Sequence, residues 1–159
     1  MKKTLFSVWA FAYFITQCTN VLGATLPPRG YTPTPTEVVA MTLLGEARGE
    51  GKAGMYAVAT VISKRMSNRG MTAQQVCLEA WQFSCWNAND KNKKKLLSLL
   101  RTHSMRAYAM YIAQNINRLD NSYTKQADHY CNIHTNPYWG KGIVPVITIG
   151  TVSYTHLRA

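Results

Sequence analysis

The stretch PTEVVAMTLLGEARGEG, Pro35 to Gly51, decides how the rest of the chain is read. Thr34 suits an N-cap, Pro35 the first helical position, and Glu37 the third position of a capping box. From Val38 to Ala47 most positions are apolar or small. The segment therefore predicts a helix from about Pro35 to about Ala47 that is buried on most sides. Such a helix belongs at the centre of a domain. Gly49 and Gly51 break it. Glu46 and Glu50 lie four apart, which puts both on one face if the helix persists, and like charges at that spacing repel mildly. Two acids here stand out in a chain with 18 basic and 7 acidic residues.

Working outward, AGMYAVATVISKRMSN predicts a second helix. Its residues Met55, Val58, Ala59, Ile62 and Met66 share one amphipathic face, and Gly70 is its stop. Thr72 and Gln75 form a second capping box, opening a short helix that ends near Ala80. WQFSCWNAND reads as an irregular loop. KNKKKLLSLLRT predicts a basic amphipathic helix. SMRAYAMYIAQNINRL predicts a fifth helix, with Met105, Ala109, Ile112, Ile116 and Leu119 on one side. ADHYC and GIVPVITIG read as short strands or extended loops. The fold class is α+β, mainly helical, with a small β element over residues 35–150.

The chain has 159 residues, enough for one domain with a real core. Its hydrophobic content of 47% and charged content of 16% exclude a disordered chain. The net charge of +11 points to an anionic partner: nucleic acid, anionic membrane or wall polymer. The N-terminus narrows these. MKKTLFSVWAFAYFITQCTNVLGA, residues 1–24, has Lys2 and Lys3, an apolar run from Leu5 to Ile15, and small residues at Gly23 and Ala24. That is the layout of a secretory signal peptide. The run is about 11 residues, against the roughly 20 of a membrane span. Residues 25–34, TLPPRGYTPT, form a Thr/Pro linker. Cys18 leaves with the signal, and Cys77, Cys85 and Cys131 remain. A Cys77–Cys85 disulfide and three free thiols are both open.

Chemistry must come from few acids. Glu37 caps a helix, Glu79 sits on a short surface helix, Asp90 suits a cap and Asp120 a turn. Glu46, Glu50 and Asp128 remain. At the end of an apolar helix the Glu46 carboxyl is partly desolvated, which raises a carboxyl pKa and favours a proton donor for glycosidic cleavage. The alternative is a structural ion pair with Arg48. Trp81 and the loop QFSCWN offer aromatics and amides that suit sugar faces and acetamido groups, or simply fold over the core. Cys85 with His129 would make a thiol nucleophile and its base, a peptidase or amidase reading. His129, Cys131 and His134 lack a fourth ligand for zinc, so no metal and no cofactor are expected. Lys91 to Lys95 read as a solvated face that adds attraction to an anionic polymer. No nucleic-acid module is present.

Taken in order, LGEARGEG, GMYAVATVISKR, VC, QFSCWN, ADHYCN, NPYW and TIG resemble the SleB-type cell wall hydrolases, the family of the spore cortex-lytic enzymes. The resemblance covers about residues 37–150. It implies a lysozyme-like single domain that cleaves peptidoglycan glycan strands between N-acetylmuramic acid and N-acetylglucosamine. The motif's first Glu, here Glu46, would be the acid/base of lytic transglycosylase chemistry. It would protonate the glycosidic oxygen and then take the proton of the muramoyl C6 hydroxyl, leaving a 1,6-anhydro end. Such a reaction needs no second carboxylate. Glu50 would support, held by Arg48 or the loop. Gln82, Phe83, Ser84 and Trp86 would line the glycan groove, with His129 and Tyr130 opposite.

Two departures stand against the family pattern. Cys131 replaces a His two positions after His129. After Gly150 the chain reads TVSYTHLRA in place of a family ending of the form IGxHxFY, which sets residues 151–159 apart as an atypical tail. The expectation is a secreted or periplasmic, wall-associated monomer. Its partner is peptidoglycan, with no nucleic acid and no stable membrane insertion after signal cleavage. A noncatalytic wall-binding protein on the same fold is the alternative.

Overall fold

The first capping box forms as read. Glu37 N donates to Thr34 Oγ1 at 3.3 Å, and Thr34 N donates to Glu37 Oε2 at 2.8 Å. These bonds launch helix α1, Pro35–Ala47. The computed structural model describes residues 30–135 and 137–157. The expected signal peptide lies outside them, as do residues 25–29 of the expected linker. Contacts divide the chain after Tyr31, and every element below belongs to the unit from Thr32 onward.

Helix α1 is buried along Val38–Gly45 and again at Ala47. Helices α2 (Gly51–Arg69), α3 (Ala73–Leu78), α4 (Leu96–Thr102) and α5 (Arg106–Gln114) all pack on it. A helix surrounded in this way has no solvent stripe, which is why its sequence lacks amphipathic contrast.

Helix α2 was expected to bury one face and buries two. Met55, Val58, Ala59 and Ile62 join the α1 core, while Ala57 and Val61 join a second cluster with Ala127, Val152 and Tyr154. Arg65 follows Ala57 and Val61 at four-residue steps, so it extends this second stripe. Gly70 ends α2 in the left-handed region at φ 63°, a conformation that glycine adopts without steric cost.

Helices α4 and α5 are shorter than expected. Lys93–Lys95 form a 3-10 turn, and α4 starts only at Leu96, where Leu96 and Leu100 are buried. Lys91 to Lys95 bring nothing apolar to the core. At the end of α5 the Asn115 side chain donates to Tyr111 O at 2.8 Å, and the chain continues as a 3-10 turn, Ile116–Arg118. An amide side chain that bonds nearby backbone competes with the helix in this way.

The sheet has three antiparallel strands, β1 (His129–Asn132), β2 (Ile147–Ile149) and β3 (Val152–Thr155), in the order β1-β3-β2. Tyr130 faces Tyr154 and Cys131 faces Ser153 across β1 and β3. Residues 151–159, set apart by sequence, thus contain the central strand. The alternation Val152, Ser153, Tyr154 after a turn at Gly150 is enough to form it, because Val152 and Tyr154 reach the second cluster. The sum is a lysozyme-like α+β domain, mainly helical, with the sheet on one flank of α2. Among the described residues no helix is long and apolar enough to cross a membrane.

Candidate active site

Glu46 sits one residue before the end of α1, where the chain turns from the core toward the surface. Its Oε1 accepts from the Cys85 amide at 2.8 Å and from Ser84 Oγ at 3.2 Å. Its Oε2 accepts from the Tyr130 hydroxyl at 3.1 Å. The carboxyl is therefore held from two sides. One side is the 3-10 turn Ser84–Trp86; the other is strand β1. Burial is the main effect that pushes the Tyr130 phenol well above its ordinary value, and the Glu46 charge adds to it. The hydroxyl stays a donor.

The ion pair that would have made Glu46 merely structural is not formed. Arg48 donates through one terminal nitrogen to the carbonyls of Leu44 and Gly45, at 3.0 and 3.1 Å. Its other terminal nitrogen donates to Asn92 Oδ1 at 2.9 Å. It caps the open carbonyls at the end of α1. Glu50 is also placed differently from expectation. The backbone leaves helical geometry at Ala47, φ −130°, so the two acids do not share a helical face. Glu50 accepts from Thr151 Oγ1 at 2.8 Å and Thr151 N at 3.2 Å, pinning the turn between β2 and β3. It supports the sheet and does not line the cleft beside Glu46. Each carboxyl is instead held by its own donors on separate elements.

That cleft has a volume of about 380 Å³ and is lined by Glu46, Arg65, Trp81, Gln82, Ser84, His129, Tyr130, Trp139 and Leu157. Gln82, Ser84, His129 and Tyr130 are where the sequence placed them. Phe83 and Trp86 are not. Phe83 is buried in the α1 core, and Trp86 donates its indole N–H to Thr42 Oγ1 at 2.9 Å while packing against that core. In a 3-10 turn residues three apart share a face, so Phe83 and Trp86 turn to the core together and leave Ser84 toward the cleft. Trp81 is 84% exposed at φ 67°, a costly backbone for a non-glycine residue. Trp139 lines the same cleft, its ring 5.5 Å from that of His129.

His129 Nδ1 lies 2.9 Å from Asp128 Oδ1. Burial lowers the His129 pKa, with the Asp128 hydrogen bond opposing it. Burial also pushes the Asp128 carboxyl up, but the hydrogen bonds from His129 and the Leu157 amide prevail and hold it low. A neutral imidazole beside a carboxylate must donate from Nδ1, which leaves Nε2 as an acceptor.

Sequence reasoning missed Arg65 and Trp139 as cleft residues. A basic residue near a helix end usually stays solvated, yet Arg65 is 4% exposed. Its Nε donates to Asp128 O at 2.7 Å, and its guanidinium lies 5.3 Å from the Phe83 ring centroid. The available signal was the four-residue step from Ala57 and Val61.

The thiol reading is overturned. Cys85 is fully buried, and burial first, then the Glu46 charge, push its thiol far up, so no thiolate nucleophile forms there. Cys77 is pushed up to about 12, chiefly by burial. Cys77, Cys85 and Cys131 are all free thiols.

No curated protein matches the chain at a significant level. Among solved structures it is similar to the catalytic domain of the germination-specific lytic transglycosylase SleB from Bacillus anthracis. The two are 25% identical with a TM-score of 0.60, over 81% of this chain and 99% of that one. The catalytic domain of the Bacillus cereus SleB protein gives 25% identity and a TM-score of 0.59, over 84% and 99%. A family model described as Cell Wall Hydrolase matches residues 49–155. With most of its length under that match, and its fold shared with two SleB catalytic domains, the chain belongs to the cell wall hydrolase family.

Proposed function

We propose that the chain cleaves the glycan strands of peptidoglycan as a lytic transglycosylase, with Glu46 as its single acid/base. The observation that carries this reading is that Glu46 is the sole carboxyl lining the described cleft, which exposed aromatic rings also line. Hydrolysis of a glycoside usually engages two carboxylates. A reaction whose nucleophile is a hydroxyl of the substrate itself needs one.

The hydrogen bonds around Glu46 supply the geometry. Oε1 already accepts two donors, whereas Oε2 accepts one. The transferable proton therefore belongs on Oε2, where a lone pair remains free. From there it passes to the oxygen linking N-acetylmuramic acid to N-acetylglucosamine as the C1–O bond breaks. The Glu46 carboxylate then takes the proton of the muramoyl C6 hydroxyl as its oxygen bonds to C1. The products are a 1,6-anhydromuramoyl end and a free N-acetylglucosamine hydroxyl, and the carboxyl is regenerated. Trp81 and Trp139 offer faces for sugar rings, and Gln82, Ser84 and His129 offer polar contacts to hydroxyl and acetamido groups. The likeness to a lytic transglycosylase domain supports this reading. The N-terminal signal layout and the basic surface accord with a secreted or periplasmic enzyme that works at the wall as a monomer.

Digestion of purified sacculi, with mass spectrometry of the released fragments, tests the proposal. Fragments ending in an anhydro sugar, lighter by one water than hydrolysed ends, are expected from the parent and not from Glu46→Gln. Release by Glu46→Gln at the parent's rate would remove the assignment, and hydrated ends would replace transglycosylation with hydrolysis.

A further inference from the structure

Arg65 carries a charge that no carboxylate of the described residues bonds directly, although Asp128 and Glu79 lie near enough to favour it. It is 4% exposed and lines the same cleft as Glu46. Nε is satisfied by the Asp128 carbonyl, but NH1 is buried and has no hydrogen-bond partner among the described residues. The nearby acids are already engaged. Asp128 takes His129 and the Leu157 amide, Glu79 pairs with Arg69, and Glu46 takes Ser84, Cys85 and Tyr130. Burial lowers the Arg65 pKa, yet a guanidinium stays charged in a protein. A buried guanidinium with a nitrogen left unbonded is costly unless something binds it.

The chemistry next to it says what that something is. Glycosidic cleavage develops positive charge at the sugar C1. A guanidinium that no carboxylate bonds opposes that charge in the same cleft, and a neutral ligand leaves the opposition in place. An anion removes it, and the planar fork of a guanidinium suits a carboxylate.

We propose that Arg65 is a substrate-binding residue that receives a carboxylate of the glycan strand. This rests on the reading of the cleft as a peptidoglycan site. Two parts of such a strand carry the group. A muramoyl residue stripped of its peptide has a free lactyl carboxylate, and a substituted one has the carboxylates of its stem peptide.

The test uses the full chain in the Glu46→Gln background, so that binding is read without cleavage. Titration follows peptide-free glycan strands, peptide-bearing strands, and each of these with carboxylates converted to methylamides. Binding to at least one carboxylate form should exceed binding to its methylamide by about tenfold or more. The preferred form names the source: peptide-free strands point to the lactyl group, peptide-bearing strands to the stem. Arg65→Met, with its fold checked by circular dichroism, should bind acid and methylamide strands equally. If the Glu46→Gln protein with Arg65 intact ignores methylamidation, the proposal is overturned, and that arm decides even if Arg65→Met fails to fold. If Arg65→Met keeps the preference, the proposal is also overturned. Loss of the glycan-cleaving reading would show separately, as parent protein that releases nothing from sacculi.

Discussion

Gly45 lies directly under Cys85: a Cβ at position 45 would come within 2.6 Å of Cys85 Cβ and 2.9 Å of Cys85 Sγ. The glycine lets the 3-10 turn Ser84–Trp86 approach α1 closely enough for the Cys85 amide to reach Glu46. Gly45→Ala cannot be relieved by a side-chain rotation, because the clash is with an atom fixed to the backbone. The turn must move, and it takes two donors of Oε1 with it. Overpacking of this kind costs about 1–3 kcal/mol. Urea denaturation should show that loss, and fragment release from sacculi should fall by more than the lost stability accounts for. A variant with parental stability and activity would mean that the turn does not position the acid.

Tyr130 sets the other carboxyl oxygen. Its hydroxyl donates to Glu46 Oε2 at 3.1 Å, and its ring packs near Phe83 and Tyr154. Tyr130→Phe keeps the ring and loses the orienting bond. We expect kcat to drop about tenfold, equivalent to roughly 1.4 kcal/mol in the barrier, with KM nearly unchanged. A rise in KM at constant kcat would instead assign the hydroxyl to substrate binding.

The sequence made α1 legible because burial on every side and a capping box act locally. The resemblance to the SleB-type family, carried by the order of the motifs, implied that Glu46, Ser84, Gln82, His129 and Tyr130 share one groove. It could not decide which way residues of a single 3-10 turn face, so Phe83 and Trp86 were set in the groove when they belong to the core. Glu50 failed for a related reason. Its partner Thr151 lies 101 residues away, and only the completed sheet turn brings them together. Arg65 was hidden because a basic residue near a helix end reads as solvated until the second packing face of α2 is known.

The Asp128–His129 pair makes stability depend on pH in two windows. The His129 pKa is lowered from 6.5, so in the range just below 6.5 the unfolded chain binds more protons than the folded one. Stability is then full above about pH 6.5 and declines as pH falls toward the lowered value. The Asp128 pKa is lowered from 3.8, so its contribution is present above that value and is lost as pH falls through the folded one. Thermal unfolding followed from pH 8 to 3 should fall in two phases. His129→Gln should flatten the upper phase and Asp128→Asn the lower. An upper phase that persists in His129→Gln would assign it to another group.

Trp81 couples a strained backbone to an exposed ring. Its φ of 67° lies in the left-handed region, and the side chain is 84% exposed beside the cleft. Little burial is gained there, so we propose that the indole stacks on a sugar face. Ala and Gly both delete the ring, but only Gly relieves the backbone. Trp81→Gly should therefore be more stable than Trp81→Ala by about 1 kcal/mol, the usual cost of a left-handed non-glycine residue. Both should raise KM for glycan strands by a similar factor, on the order of tenfold if stacking is worth about 1.4 kcal/mol. Thermal unfolding separates the first effect, and fragment-release kinetics the second. If KM stays at the parent value in both variants, the ring does not touch the glycan. If Ala is as stable as Gly, the turn relaxes without cost.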